Sequence, residues 1–530
     1  MLSFFILENS TKNTFEIAML VILNLIKNSS LLDKSQKELN DLKAKKGFYI
    51  ISEDYKIYKN SLYLQNDILF FIAKIKQKKL LYLVSRNPFN SNFEGEYQEL
   101  GGIFIQLVEL NHKNSKVLQK HFPFTSPISL REKKTTFGCG DRLGLATPGH
   151  IRAALKYDVY PVLAQQSIRE LNLTQRNYDQ VISDVVFSVF QEGFERGFGA
   201  DGDHLKSIED INIALEAGMP MITLDLSDVI NIDASSWSKE KINNEFEKIE
   251  NNEKNRILEA YSNKTFQVGK YNIVIDSLEA KRCILLYQNA LNFAQTVDHH
   301  LRKHRNDKYD LEISIDETTT PTLPSHHVFI IKELIHSNIS VNSLAPKFIG
   351  EFQKGIDYIG KLAEFEKQFK IHCEIAREYG DYKISVHSGS DKFKVYPIIG
   401  KYTQQHFHLK TAGTNWLEAL RCIAMCNPKL YRKIHKRALE YYEEALRYYH
   451  VTADISKIKN IDEVNDEELP YYLDKNESRQ VLHITYGGVL NDPTIKDSFY
   501  DTLNKYEEMY YELINNHISK HMELLGIKKL

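Results

Sequence analysis

Asp203 and His204 stand side by side in the stretch GADGDHLK, residues 199–206, with glycine at 199 and 202. A carboxylate beside an imidazole suits metal binding combined with proton transfer, because a nearby cation keeps the acid ionised and ready as a base. A solvated loop would also place the two together by accident, so other residues must decide. His387 in KISVHSGSDK and His408 in FHLKTAG follow apolar runs in the same way and have Ser or Lys for neighbours. Three imidazoles with one open position is the pattern of catalytic metal sites, and imidazole accepts zinc, manganese, cobalt, nickel or iron. His204, His387 and His408 are therefore the expected ligands of a divalent metal cation, with His408 preferred to the nearby His406. Gly199 and Gly202 are expected to make room for metal or ligand, and the backbone at 202–204 to turn out of its strand.

Such residues can meet only if the elements carrying them end at one place. From about residue 135 the sequence alternates apolar strands with amphipathic helices, the strands being TFGCGD, VYPVLAQQ, GFGADGD, PMITLDLS, LEISIDE, ISVNSLA, KISVHSG and FHLKTAG. Eight such units predict an α/β fold of the (β/α)8 TIM-like barrel type, whose chemistry sits at the C-terminal strand ends. Reading those ends in order gives Asp141 and Arg142, Gln165 and Gln166, Asp203 and His204, Asp225 and Asp228, Asp316 and Glu317, Lys347, then His387, Ser388, Ser390 and Asp391, then His408, Lys410 and Thr411. Every strand ends in groups that bind or react. The barrel is expected over 126–426 with a helical insertion at about 232–310, preceded by a small β-rich domain over 1–125 and followed by a helical extension over 427–530.

Composition narrows the class. The chain has 530 residues, 42% hydrophobic and 26% charged, which is ordinary for a soluble protein with more than one core. Its 68 basic and 70 acidic side chains leave a net charge of −2, with no basic surplus for nucleic acid or an anionic membrane. No apolar run approaches the roughly 18 residues that cross a bilayer. Five cysteines without a C-x-x-C pair point to a reducing, cytoplasmic setting. GCGDRLG spaces its glycines as G-x-G-x-x-x-G and so does not fit a dinucleotide loop.

Seven motifs in this order resemble the tagaturonate epimerase family: GDRLGLATPGHIRA, VLAQQSIREL, GFGADGDHLK, SIDETTTPT, LAPKFIGEFQKGIDYIG, VHSGSDKFKVYPIIG and HLKTAGTNWLEALR. The resemblance spans about residues 135–425, with a weaker echo at RQVLHITYGG. A looser similarity links the DH and HSGS stretches to class II aldolases, which keeps an aldolase acting on a keto sugar acid as the alternative. The family resemblance implies a metal-dependent isomerase of hexuronate catabolism that interconverts tagaturonate and fructuronate by inversion at C3. That carbon is β to the C5 ketone, so simple enolisation does not reach it, whereas retro-aldol cleavage and readdition does. Asp203 and a partly desolvated Glu317 are the expected base and acid, approaching from different strands. Arg142, Lys347 and Lys410 are expected to hold the uronate carboxylate, and Gln165, Gln166, Ser388, Ser390 and Asp391 its other polar atoms. The expected partner is thus a small uronate, and assembly into a homo-oligomer is open.

Overall fold

The computed structural model describes residues 11–44, 49–52, 55–318 and 320–530. They divide into two compact units, the described residues up to 126 with 183–195, and 127–182 with those from 196 to 530.

The first unit is built on a seven-stranded antiparallel sheet. Its centre is the pair Ile68–Ile75 and Lys78–Ser85, the first buried along its whole length. Runs of Ile, Leu and Phe make this a two-sided buried strand, and Phe71 stacks flat on Tyr82 with ring centroids 5.3 Å apart. Helices Thr11–Ser29, Gln36–Ala44 and His112–His121 accompany the sheet. Gly47 and Phe48, the first residues of the expected strand GFYIIS, lie outside the described residues.

The second unit contains a closed barrel of eight parallel strands. We number them β1 (Thr135–Cys139), β2 (Tyr160–Ser167), β3 (Gly199–Leu205), β4 (Met221–Asp225), β5 (Asp310–Ser314), β6 (Ser343–Ala345), β7 (Lys383–Val386) and β8 (Phe407–Thr411). The ring closes where β8 pairs with β1, from Phe407↔Thr135 to Thr411↔Cys139. All eight strands fall on the apolar runs read in the sequence. Between β4 and β5 the chain forms helices Lys239–Phe246 and Asn251–Tyr261, a hairpin of Lys264–Val268 with Tyr271–Ile275, and the long helix Ser277–Arg305. After the barrel, helices Pro428–Ala445, Asn476–Ile484, Lys496–Lys505 and Glu507–Leu524 belong to the same compact unit. Among the described residues, no helix is long and apolar enough to cross a membrane.

Candidate active site

The GADGDHLK stretch forms β3 and its end. β3 stays paired with β2 through Asp201↔Gln165 and Asp203↔Ser167, while its register with β4 slips between Gly202 and Leu205. Within that slip His204 adopts φ +54°. Strand alternation puts 201 and 203 on the inner face and 202 and 204 on the outer. The left-handed turn overrides this for His204, whose Nδ1 lies 2.8 Å from Asp203 Oδ1. The turn therefore falls at His204, the last residue of the 202–204 span expected from the sequence. Neither Gly199 nor Gly202 makes room for metal or ligand as expected, and a Cβ on Gly199 would meet Leu130 and Val162. A Cβ on Gly202 would come within 2.9 Å of Ala214 and Leu205, so its absence lets the following helix, Ile208–Ala217, lie close against the strand.

Inside the barrel, Lys410 of β8 collects three carboxylates: Asp203 at 2.6 Å, Asp201 at 2.8 Å and Glu312 at 2.9 Å. Thr223 Oγ1 also contacts its Nζ. Ser343 donates to the far oxygen of Glu312 at 2.5 Å. At the mouth, His387 Nδ1 lies 3.1 Å from Asp316 Oδ1, and His204 Nε2 lies 3.9 Å from the same atom. Donor atoms of His204, Asp316 and His387 all fall within 4.8 Å of one another. Each imidazole turns its other nitrogen to an acid, His204 to Asp203 and His387 to Glu312 at 2.6 Å. Histidines that bind metals are held in this way, the outer N–H on a carboxylate fixing the tautomer and the ring. Three carboxylates surround one ammonium and a fourth, Asp316, faces the two imidazoles, so with both rings neutral the set is negative and a divalent cation would balance it.

Titration behaviour follows from this crowding. Burial raises Asp203, Glu312 and Asp316, but nearby cations outweigh it and hold all three well below the usual carboxylate range. His204 and Lys410 do so for Asp203, Lys410 and His387 for Glu312, and His387 and His204 for Asp316. Asp201 differs, because burial, only partly offset by Lys410, lifts it to about 6. His204 and His387 shift upward, the pull of their acids exceeding the effect of burial.

His408 does not join these donors. It shares the inner face of β8 with Lys410 but lies two residues deeper, with Nδ1 at 2.9 Å from Thr136 Oγ1. Burial lowers its pKa to about 3, so it is a neutral core histidine. The third atom close to the two imidazoles is instead a carboxylate oxygen of Asp316.

A cleft partly open to solvent lies over this centre. Gln165, Ser388, Ser390 and Glu317 line it. Glu317 is exposed at the rim, with a carboxylate oxygen within 4.8 Å of donors on His204 and Asp225, rather than partly desolvated as the sequence reading supposed. Other expected contacts are committed elsewhere. Arg142 is buried against Glu170 at 2.8 Å and stacked 3.9 Å over Tyr486, so it braces the wall. Gln166 follows Gln165 on β2 and turns to the opposite face. Lys347 lies in the adjoining cavity with its ammonium on the Thr318 carbonyl. Asp391 is tied to Arg479 at 2.6 Å and His517 at 2.5 Å, and Lys410 neutralises the acids.

Two further cations, Lys354 and Arg169, line the cleft. Lys354 donates to Ser388 Oγ at 2.8 Å, and Arg169 sits 5.1 Å from the Tyr449 ring. Neither belongs to an ion pair among the described residues. Burial, then the charges of Arg169 and Arg142, lower the Lys354 pKa. Neither residue sits at a strand tip, so the tip reading could not find them.

Fold and site together define a class: a (β/α)8 enzyme with a histidine–carboxylate centre at the C-terminal mouth and cations lining the same cleft. The chain belongs to the tagaturonate epimerase family, a family of isomerases, which residues 58–525 match. The match starts ahead of the motifs quoted above and runs through the 232–310 segment. A tagaturonate/fructuronate epimerase from Thermotoga maritima is 39% identical over 471 residues, covering 89% of this chain and 97% of that protein. Crystal structures of the fructuronate-tagaturonate epimerase UxaE from Cohnella laeviribosi, native and with one glycerol, are 44% identical with TM-scores of 0.86. Each match covers 89% of this chain, against 97% of the native and 96% of the glycerol-bound chain.

Proposed function

We propose that this chain interconverts D-tagaturonate and D-fructuronate by inverting C3, with His204, His387 and Asp316 holding a divalent cation. The observation that carries the reading is one cleft lined both by two acid-backed imidazoles and by two cations that form no ion pair among the described residues. A keto acid has matching ends. Arg169 and Lys354 hold the C1 carboxylate, while the reacting segment lies over the histidine–carboxylate centre. A cation bound there would supply Lewis-acid stabilisation of negative charge developing on the ketone oxygen.

The chain's own groups supply the remainder. Asp203 or Glu317 takes the C3 hydroxyl proton as the C3–C4 bond breaks, giving a three-carbon aldehyde acid and an enediolate of the other three carbons. Arg169 and Lys354 keep the aldehyde fragment in place by its carboxylate, two bonds from C3. Rotation about C2–C3 then presents the other face of the aldehyde. The C3–C4 bond re-forms there, and the second acid returns the proton to the new C3 oxygen. Retaining the fragment makes the enzyme an epimerase rather than an aldolase.

The test is to strip divalent ions from the purified protein, add them back one at a time, and follow both uronates by NMR. Loss and recovery of interconversion are expected, with three-carbon fragments trapped only in small amounts. Full turnover by metal-free protein would remove the cation from the reaction.

A further inference from the structure

The RQVLHI part of RQVLHITYGG lies on helix Asn476–Ile484, and His483 from it reaches the active-site cleft. Its backbone is fixed from two sides: Trp416 Nε1 donates to the Leu482 carbonyl at 2.7 Å, and Arg142 to the His483 carbonyl at 3.3 Å. The ring is 1% exposed, and Nδ1 has no hydrogen-bond partner. Nε2 is packed over Gly413, so closely that a Cβ there would lie 1.8 Å from it. Gly413 has φ −88° and ψ −13°, a conformation open to any residue, so glycine is required at 413 by the ring rather than by the backbone.

Burial, then the charges of Arg142, Lys354 and Lys392 against that of Asp391, hold the His483 pKa well below its usual value, so the ring is neutral and carries one N–H. Nδ1 is sealed from solvent with no acceptor, so the proton is better placed on Nε2, which is not sealed and lies at the cleft wall formed by Gly413 and Ala412. An oxygen anion arriving in the cleft would accept from it.

We infer that His483 is a specificity-determining residue, its Nε2–H joining Lys354 and Arg169 in binding the carboxylate end of the keto acid. This rests on the functional reading above and assigns the C-terminal helices a part of the substrate site.

Calorimetry on the metal-loaded full chain, with D-tagaturonate and the neutral ketohexose D-tagatose, tests it. His483→Ala should weaken tagaturonate binding on the order of 10- to 100-fold, as expected for losing a hydrogen bond to a charged group, and change tagatose binding little. His483→Gln, which keeps an N–H donor, should recover part of the loss. Gly413→Ala should reproduce the His483→Ala effect by displacing the ring, even if His483→Ala itself folds poorly. Combining the two should add nothing, because both remove one interaction. In turnover, KM should rise while kcat holds. Equal weakening for acid and ketohexose, or a kcat loss at constant KM, would overturn the assignment. A wild type that binds tagaturonate without converting it would count against the proposed function alone.

Discussion

His204 and His387 each use one nitrogen on an acid and direct the other toward Asp316, so ligands and their supports can be separated by substitution. His204→Ala and His387→Ala should each bring metal content, read by atomic emission, well below one ion per chain and abolish turnover. His408→Ala should keep the metal, since its Nδ1 serves Thr136. Metal loss in that variant would return His408 to the ligand set. Glu317→Gln should lower turnover about 10²–10⁴-fold at unchanged metal content, the usual weight of a general acid or base. Asp203→Asn should do the same and also weaken metal binding about 10- to 100-fold, because Asp203 supports His204. The sequence showed which face of a strand a residue occupies but not its height in the barrel. His408 was read on the correct face yet lies two residues, roughly 7 Å, below the mouth. Lys354 and Arg169 escaped because their positions depend on loop geometry and helix starts, which no periodicity encodes.

β3 shows how an element aims side chains that a regular strand could not. The register slip against β4 and the left-handed His204 bring neighbouring residues to one centre, while Gly202 admits the helix behind them. Gly202→Val should therefore damage stability more than chemistry. Its extra carbons meet Ala214, Leu205 and Ile222, and overpacking of this kind costs about 1–3 kcal/mol. A lower denaturation midpoint with kcat near wild type is expected. An unchanged midpoint with turnover lost would instead place Gly202 in the site. The barrel strands were legible because apolar runs alternate with helices and end in polar residues. The hairpin Lys264–Val268 with Tyr271–Ile275 was not, because it is short, half exposed and lies between charged helices whose pattern dominates its surroundings.

Across the barrel unit, the C-terminal helices are held by a buried charge cluster at the end of β7. Asp391 accepts from Arg479 of helix Asn476–Ile484 and pairs with His517 of helix Glu507–Leu524, whose Nδ1 lies 3.3 Å from Glu418. His521 completes the cluster as a neutral ring, its Nε2 accepting the Asp391 amide at 3.1 Å. In the sequence Asp391 was an expected sugar contact, because strand-end position alone cannot distinguish a substrate ligand from a tether. Asp391→Asn should cost about 3–5 kcal/mol, the usual effect of removing one partner from a buried ion pair. The loss should depend on pH. Burial lowers the His517 pKa, but Asp391 and Glu418 outweigh it and the folded value is raised. Its stabilisation is then complete below the unfolded value of about 6.5 and disappears as pH rises through the folded one. Asp391 is shifted the other way: burial raises it, but His517 and Arg479 outweigh that and hold it low. Its contribution is present above about 3.9 and lost as pH falls through the folded value. Wild type should thus exceed Asp391→Asn by more at about pH 5.5 than at about pH 9, where the Arg479 pair alone remains. Denaturant midpoints of both proteins at the two pH values check this, and a gap that does not change with pH would remove His517 from the tether.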